Sequence, residues 1–259
     1  MIKKNITFLS LCVLSSLSYA HCELGQTSCS RFSLSPTIGY YKYAEPGYMK
    51  ITGLSVGLQF DYQYIQKNNL VLQIQSQLGF VNGKYDGSLL NSQPYSNSND
   101  DSYIFSVAPS VGYRFSFSNN AMQLIPYAGL GYRFLNNDTS DTSAGYQRLS
   151  NYFYLPVGFQ FEQQLKRWQW QLNAEFDYLI YGNQYSGIDG GVNNPQHHGW
   201  GANASLLFGH QVDSVGWYVG PYIKYWRIQQ SDTASGNTSS WVEPENYTVD
   251  AGVMFKFVF

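Results

Sequence analysis

The chain has 259 residues, of which 12% are charged and 17% aromatic, with 23 Tyr, 16 Phe and 6 Trp. Mean hydropathy is negative at −0.29, so a helical membrane protein with several apolar runs of about 20 residues is excluded. A formal charge of −2 with no basic block speaks against a nucleic-acid partner, and the apolar content against a disordered chain.

Residues 1–20 read as a secretory signal. Lys3 and Lys4 form a basic start, Ile6 to Leu14 a short apolar stretch, and Ser18-Tyr19-Ala20 a small-x-small cleavage site. His21 precedes Cys22 where a lipoprotein would have a small residue. The segment 21–30 carries Cys22 and Cys29, which an oxidising periplasm is expected to join as a disulfide. Without its leader the chain holds thirteen bases and seventeen acids.

From residue 31 onward, apolar and polar residues alternate with period 2, the signature of strands with one face in each environment. Leu54, Val56, Leu58, Phe60, Tyr62 and Tyr64 fall on one face, opposite Gln59, Asp61 and Gln63. Ten strands are predicted, at about 31–43, 51–64, 70–82, 103–117, 121–135, 149–162, 168–181, 199–210, 216–228 and 247–259. Connections at 65–69, 118–120, 163–167 and 211–215 are short, and those at 83–102, 136–148, 182–198 and 229–246 are long and polar. The connection at 44–50 is intermediate and holds Glu45-Pro46-Gly47. Strict alternation of short and long links predicts one all-β, up-and-down antiparallel transmembrane barrel over 31–259, with short periplasmic turns and long outer loops. Eight strands would result if one hairpin were misread. A soluble sandwich would carry more Lys, Glu and Thr on its outer face.

Parity supports this reading. Asp61, Arg114, Arg133, Glu162, Glu175, Asp177, Lys224, Asp250 and Lys256 all fall on the polar, lumen face. Only Lys42, Lys50, Lys84 and Arg227 share the lipid face, each at the loop end of its strand. A basic residue at mid-bilayer costs about 2–4 kcal/mol, but about 0–1 near the interface. These four bases are expected to snorkel or to meet lipopolysaccharide phosphates. Tyr40, Tyr64, Phe80, Tyr103, Phe117, Phe134, Trp168, Tyr178, Trp200 and Trp217 are placed to form interfacial girdles. Pro36, Pro109, Pro126, Pro156 and Pro221 lie inside predicted strands, where bulges or missing ladder bonds are expected.

Val253, Phe255, Phe257 and Phe259 alternate outward and end on a terminal Phe. Here the sequence resembles bacterial outer-membrane β-barrel proteins, whose final aromatic is recognised by the barrel-assembly machinery. The stretch Tyr41-Lys42-Tyr43-Ala44-Glu45-Pro46-Gly47-Tyr48-Met49, with Gly53 after it, resembles the first hairpin of porin-like members. The resemblance implies fold, a Gram-negative outer-membrane location, and lipid, lipopolysaccharide and assembly-machinery partners, but no single chemistry.

No P-loop, paired C-x-x-C or H-E-x-x-H is present, and no cofactor or metal is expected. The omptin proteases place two acids on one outer loop and an Asp-His pair on another. Here Asp100-Asp101 and Asp189 with His197-His198 lie in loops, but there is no Trp-Thr-Asp stretch and Asp189 is eight residues from His197. The sequence therefore favours a non-enzymatic, porin-like barrel with a narrow, charged and partly plugged lumen. The alternatives are an adhesin or receptor engaging a host or surface ligand through its loops, and, remotely, an omptin-like protease depending on Asp101, Asp189 or His197.

Overall fold

The computed structural model describes residues 28–88, 93–119, 121–138, 145–212 and 215–259, and the side chains of these except Asn99 and Val212. The leader and Cys22 lie outside them. Cys29 is disulfide-bonded.

Fifteen strand segments are present among the described residues. They are β1 (Cys29–Glu45), β2 (Met49–Ile65), β3 (Leu70–Ser88), β4 (Pro94–Tyr113), β5 (Phe115–Phe117), β6 (Met122–Gly129), β7 (Gly131–Asp138) and β8 (Gln147–Leu165). There follow β9 (Trp168–Ser186), β10 (Val192–Gln196), β11 (Gly199–Val212), β12 (Val215–Ile228), β13 (Ala234–Ser235), β14 (Ser240–Trp241) and β15 (Asn246–Val258). The pairs β4/β5, β6/β7 and β10/β11 are single strands interrupted at Arg114, Leu130 and His197-His198, and β13–β14 is a small hairpin of its own. Ten antiparallel strands remain. The last pairs with the first from Ser33↔Val258 to Ala44↔Tyr247, which closes the barrel.

Backbone hydrogen bonds of a membrane strand must all be met by neighbours, and closure removes the free edge. The seam is completed below the ladder: the Phe32 amide donates to the Phe259 carbonyl at 3.1 Å, and the Phe259 amide to the Phe32 carbonyl at 2.8 Å. Their rings stack at 6.3 Å.

One end of the barrel has tight turns. Asn69, Ser118, Asn119 and Lys166 adopt positive φ there, which short links between antiparallel strands demand. At the other end the strands run further than expected. Residues 83–88 and 94–102 continue β3 and β4, and 182–186 with 192–196 extend β9 and β10, where long loops were predicted. Above the apolar belt both faces of a hairpin are polar, so period-2 hydropathy vanishes while the ladder goes on.

Four prolines, Pro36, Pro126, Pro156 and Pro221, keep in-register partners, so each removes a ladder donor without shifting register. Pro109 too stays in register, opposite Ile74, and its carbonyl accepts the Leu130 amide at 3.1 Å, at the break between β6 and β7. The outer face is apolar and exposed, with Leu54, Val111, Val157 and Phe208 all more than half accessible. Trp168 and Trp217 meet edge to face at 6.0 Å near the turns, and Trp200 packs on Tyr225 at 4.9 Å nearer the loops.

Candidate functional site: the barrel lumen

Inward parity brings the polar faces of all ten strands around one axis. They enclose a cavity of about 140 Å³ in the middle of the barrel. Of the nine charges predicted to face inward, Asp61, Arg133, Glu175, Asp177, Lys224, Asp250 and Lys256 line it. Arg114 and Glu162 lie outside its lining, toward the turns.

At the turn end the lumen is crossed by a pair the sequence did not suggest. Arg31, near the start of β1, reaches Glu162 on β8 at 2.7 and 3.0 Å. Its Nη2 also donates to Gln63 at 2.9 Å. Gln63 in turn donates to Gln73 at 3.1 Å and to Gln160 at 3.0 Å, forming an amide cluster across the barrel. Arg114 stays at the rim, where Nε and Nη2 donate to Asn69 Oδ1 at 3.1 and 2.9 Å.

The loop end is closed in the same manner, again by residues outside the predicted set. Arg148 Nη1 meets Glu45 Oε1 at 2.5 Å, and Tyr43 donates to the same oxygen at 2.9 Å. Glu243, from the link between β12 and β15, is buried above them. Its amide and carbonyl are bound by Ser231 at 2.9 and 3.0 Å. Burial pushes the Glu243 carboxyl up to about 8; Arg148 opposes this and Glu45 adds to it.

Between these seals the charges form no ion pair among the described residues. Lys224 extends from β12 across to Gln77 on β3 at 2.6 Å and Gln59 on β2 at 3.5 Å. Arg133 packs over Trp226 at 5.4 Å and Tyr152 at 5.7 Å. On β11, the strand next to that of Lys224, one amide nitrogen of Asn203 donates to Glu175 and to Asp177, each at 2.9 Å. Asp250 accepts from Ser55 at 2.7 Å and Tyr222 at 2.9 Å. Asp61 accepts from Ser33 at 3.0 Å and Gln59 at 3.1 Å. Among the described residues, ion pairs therefore stand at the two ends and not in the middle. There, amides, hydroxyls and rings contact most of the charges, Asp177 Oδ1 has no donor among the described residues, and space remains.

Gly53-Leu54-Ser55-Val56-Gly57 has the letters of a G-x-S-x-G nucleophile motif. It sits inside β2, and its Ser55 hydroxyl is bound to Asp250, with no strand-to-helix elbow to expose it.

At the loop end, Asp189 and His197 do not meet. Asp189 accepts from Trp241 Nε1 at 2.8 Å, Thr238 Oγ1 at 2.7 Å, and the Thr238 and Ser239 amides at 3.0 and 2.9 Å. Those donors, Trp241 first and Thr238 next, pull its carboxyl down to about 2. Gly190 is needed beside it, because a Cβ there would lie 2.0 Å from Asn237. His197 instead meets Asp232 at 3.1 Å, and both are exposed. Asp101 accepts from Asn82 at 3.2 Å. Among the described residues no group of three His, Cys, Asp or Glu is arranged to hold a metal ion.

On the lipid face, Lys84 meets Asp86 at 2.9 Å and Arg227 meets Glu245 at 2.8 Å. Lys42 lies over the Tyr247 ring at 5.1 Å, and Lys50 is exposed opposite Asp86. Phe255, Phe257 and Phe259 point outward along β15.

Among solved structures, the barrel is similar to the outer membrane protease OmpT from Escherichia coli. The TM-score is 0.59 at 10% identity, over 93% of this chain and 100% of that one. A major outer membrane protein from Thermus thermophilus matches with a TM-score of 0.40 at 12% identity, over 89% of this chain and 100% of that one. At these identities the likeness concerns the fold. No curated protein matches the chain significantly. The family model described as outer membrane protein beta-barrel domain matches residues 6–208. Together with a closed ten-stranded barrel whose apolar face is outward, this places the protein in the bacterial outer membrane, as a member of the outer membrane protein β-barrel domain family.

Proposed function

We propose that the barrel is a non-enzymatic, porin-like conduit with a narrow polar lumen, closed at rest by buried ion pairs at its two ends. The observation that carries this reading is the cavity between the seals, where Lys224, Arg133, Glu175 and Asp177 face open space without forming ion pairs among the described residues. Unpaired buried charges are costly, so a purely structural plug would be expected to pair or lose them. Charges inside a membrane span commonly mark a pathway.

Single-channel recording of the refolded protein in a planar bilayer tests the reading. Discrete steps are expected, with cation preference rising in an Arg133→Ala/Lys224→Ala variant. Opening should become more frequent in Arg148→Ala, which releases the outer seal. Silence from folded wild type and from both variants would overturn the proposal.

A basic outer rim supports lipopolysaccharide as the lipid partner. Among the described residues Lys42 and Lys50, on the paired strands β1 and β2, form no ion pair, whereas Lys84 on β3 is paired with Asp86 and Arg227 on β12 with Glu245. Neutralising all four should reduce lipopolysaccharide retained by the purified barrel. Unchanged retention would leave them as interfacial anchors only.

A further inference from the structure

The wall formed by β9 and β11 holds an acid pair that forms no ion pair with any base among the described residues. Glu175 and Asp177 are successive inward residues of β9, and Asn203 on β11 ties them together through one amide nitrogen at 2.9 Å to each. Tyr127 donates to the far oxygen of Glu175 at 2.9 Å. Asp177 is 1% exposed, and its Oδ1 is buried with no hydrogen-bond donor among the described residues, although the residue lines the cavity. Two bases of the lumen are engaged elsewhere: Lys224 on the glutamines of the opposite wall, and Arg133 on two aromatic rings. Room for the pair is built into the backbone. A Cβ on Gly201 would lie 2.9 Å from Asp177 and 2.7 Å from Trp226, so only glycine lets both side chains turn inward there.

We propose that Glu175, Asp177 and Asn203, with Tyr127 and Tyr154 beside them, form a binding site for the ammonium group of a small organic solute inside the lumen. The proposal rests on the conduit reading and names the class of solute the lumen would admit. An ammonium carries three donors and one charge, and the site offers two adjacent carboxyl groups on the cavity wall. Aromatic rings on the cavity wall suit an organic cation. A hard divalent ion fits less well. It needs about six oxygen ligands, whereas Asn203 presents its nitrogen to the carboxylates rather than an oxygen to the cavity.

The test uses a linear diamine, putrescine, with 1,4-butanediol as its uncharged counterpart. The chain is refolded into detergent micelles with radiolabelled probe present, so that the closed ends cannot exclude it. Folding is verified by heat-dependent gel mobility, and bound probe is measured by equilibrium dialysis. One saturable site per chain is expected, with butanediol at least tenfold weaker. Asp177→Asn and Glu175→Gln should each weaken putrescine at least tenfold, while Asp189→Asn in the outer loops should not. If Asp177→Asn fails to fold, Glu175→Gln carries the comparison. The proposal is overturned if folded wild type shows no saturable putrescine binding, if butanediol binds equally, or if the folded lumen variants bind like wild type. A barrel that conducts without binding putrescine sinks this site alone. One that binds without conducting sinks the conduit reading and keeps the site.

Discussion

Arg31 and Glu162 show what a single lumen contact is worth. The Glu162 side chain is 4% exposed, so it depends on Arg31, which reaches it with two nitrogens, for compensation. Removing one partner of a buried pair leaves an uncompensated charge, typically costing about 3–5 kcal/mol. Arg31→Ala should therefore lower the barrel's stability to urea in micelles by about that amount. Glu162→Gln/Arg31→Ala, which removes both charges, should recover part of it. Equal stabilities of single variant and wild type would show that water or Lys256 takes over. Nothing in the sequence singles out Arg31. It stands at the margin of the first strand, and its partner lies 131 residues away, across the barrel rather than beside it. Parity fixed which way each residue points, but not which residue waits on the other side.

The same distinction governs the loops as elements. The link between β12 and β15 is fixed at two places, by Asp189 on its β13–β14 hairpin and by Glu243 over the mouth of the lumen. These respond to pH in opposite directions. Glu243 faces Glu45 and Tyr43 from β1 and Arg148 from β8, and its carboxyl rises from 4.5 to about 8 in the closed structure. Closed, it binds a proton that the opened loop would release. Closure is therefore most stable below about pH 4.5, weakens as pH rises toward 8, and is level beyond. Hydrogen exchange of residues 229–245 should accelerate over that window, and Glu243→Gln should flatten the profile. A wild-type profile that is already flat would refute this coupling. Asp189 is depressed from 3.8 to about 2, so its clamp is intact above pH 3.8 and is lost as pH falls through 2. Asp189→Asn should leave barrel melting unchanged but make the 236–241 hairpin the first site of proteolytic cleavage. Cleavage indistinguishable from wild type would mean the other contacts suffice. Composition marked these segments as polar loops. It could not show that they fold down, because an inward Glu and a solvated Glu are the same letter.

On the scale of the whole molecule, the lipid face and the closing seam carry the stability. Leu78 and Val111 stand at mid-strand on the outer face, and each is more than half accessible. Arg in place of either should cost about 2–4 kcal/mol in a bilayer, while Arg in place of Thr52, a lipid-face residue near the loop end, should cost about 0–1. Equal costs, measured by urea titration in vesicles, would contradict the assigned membrane position. Phe259→Ala removes the ring stacked on Phe32 where first and last strands meet. Slower refolding into vesicles is expected, because this seam joins the two ends of the chain.

Ten strands and the alternation of short and longer links were legible in the residue pattern, and seven of the nine charges read as inward line the cavity. All of these follow from period-2 alternation and link length, which are local properties. Which charges pair was settled by the folded barrel. It closed the ends with Arg31–Glu162 and Arg148–Glu45, left Glu175 and Asp177 facing a cavity, and turned Asp189 to Trp241 and His197 to Asp232. The physical reason is that cross-lumen contacts depend on strand tilt and stagger around a closed barrel. Those are set by all ten ladders together and by no stretch of sequence alone.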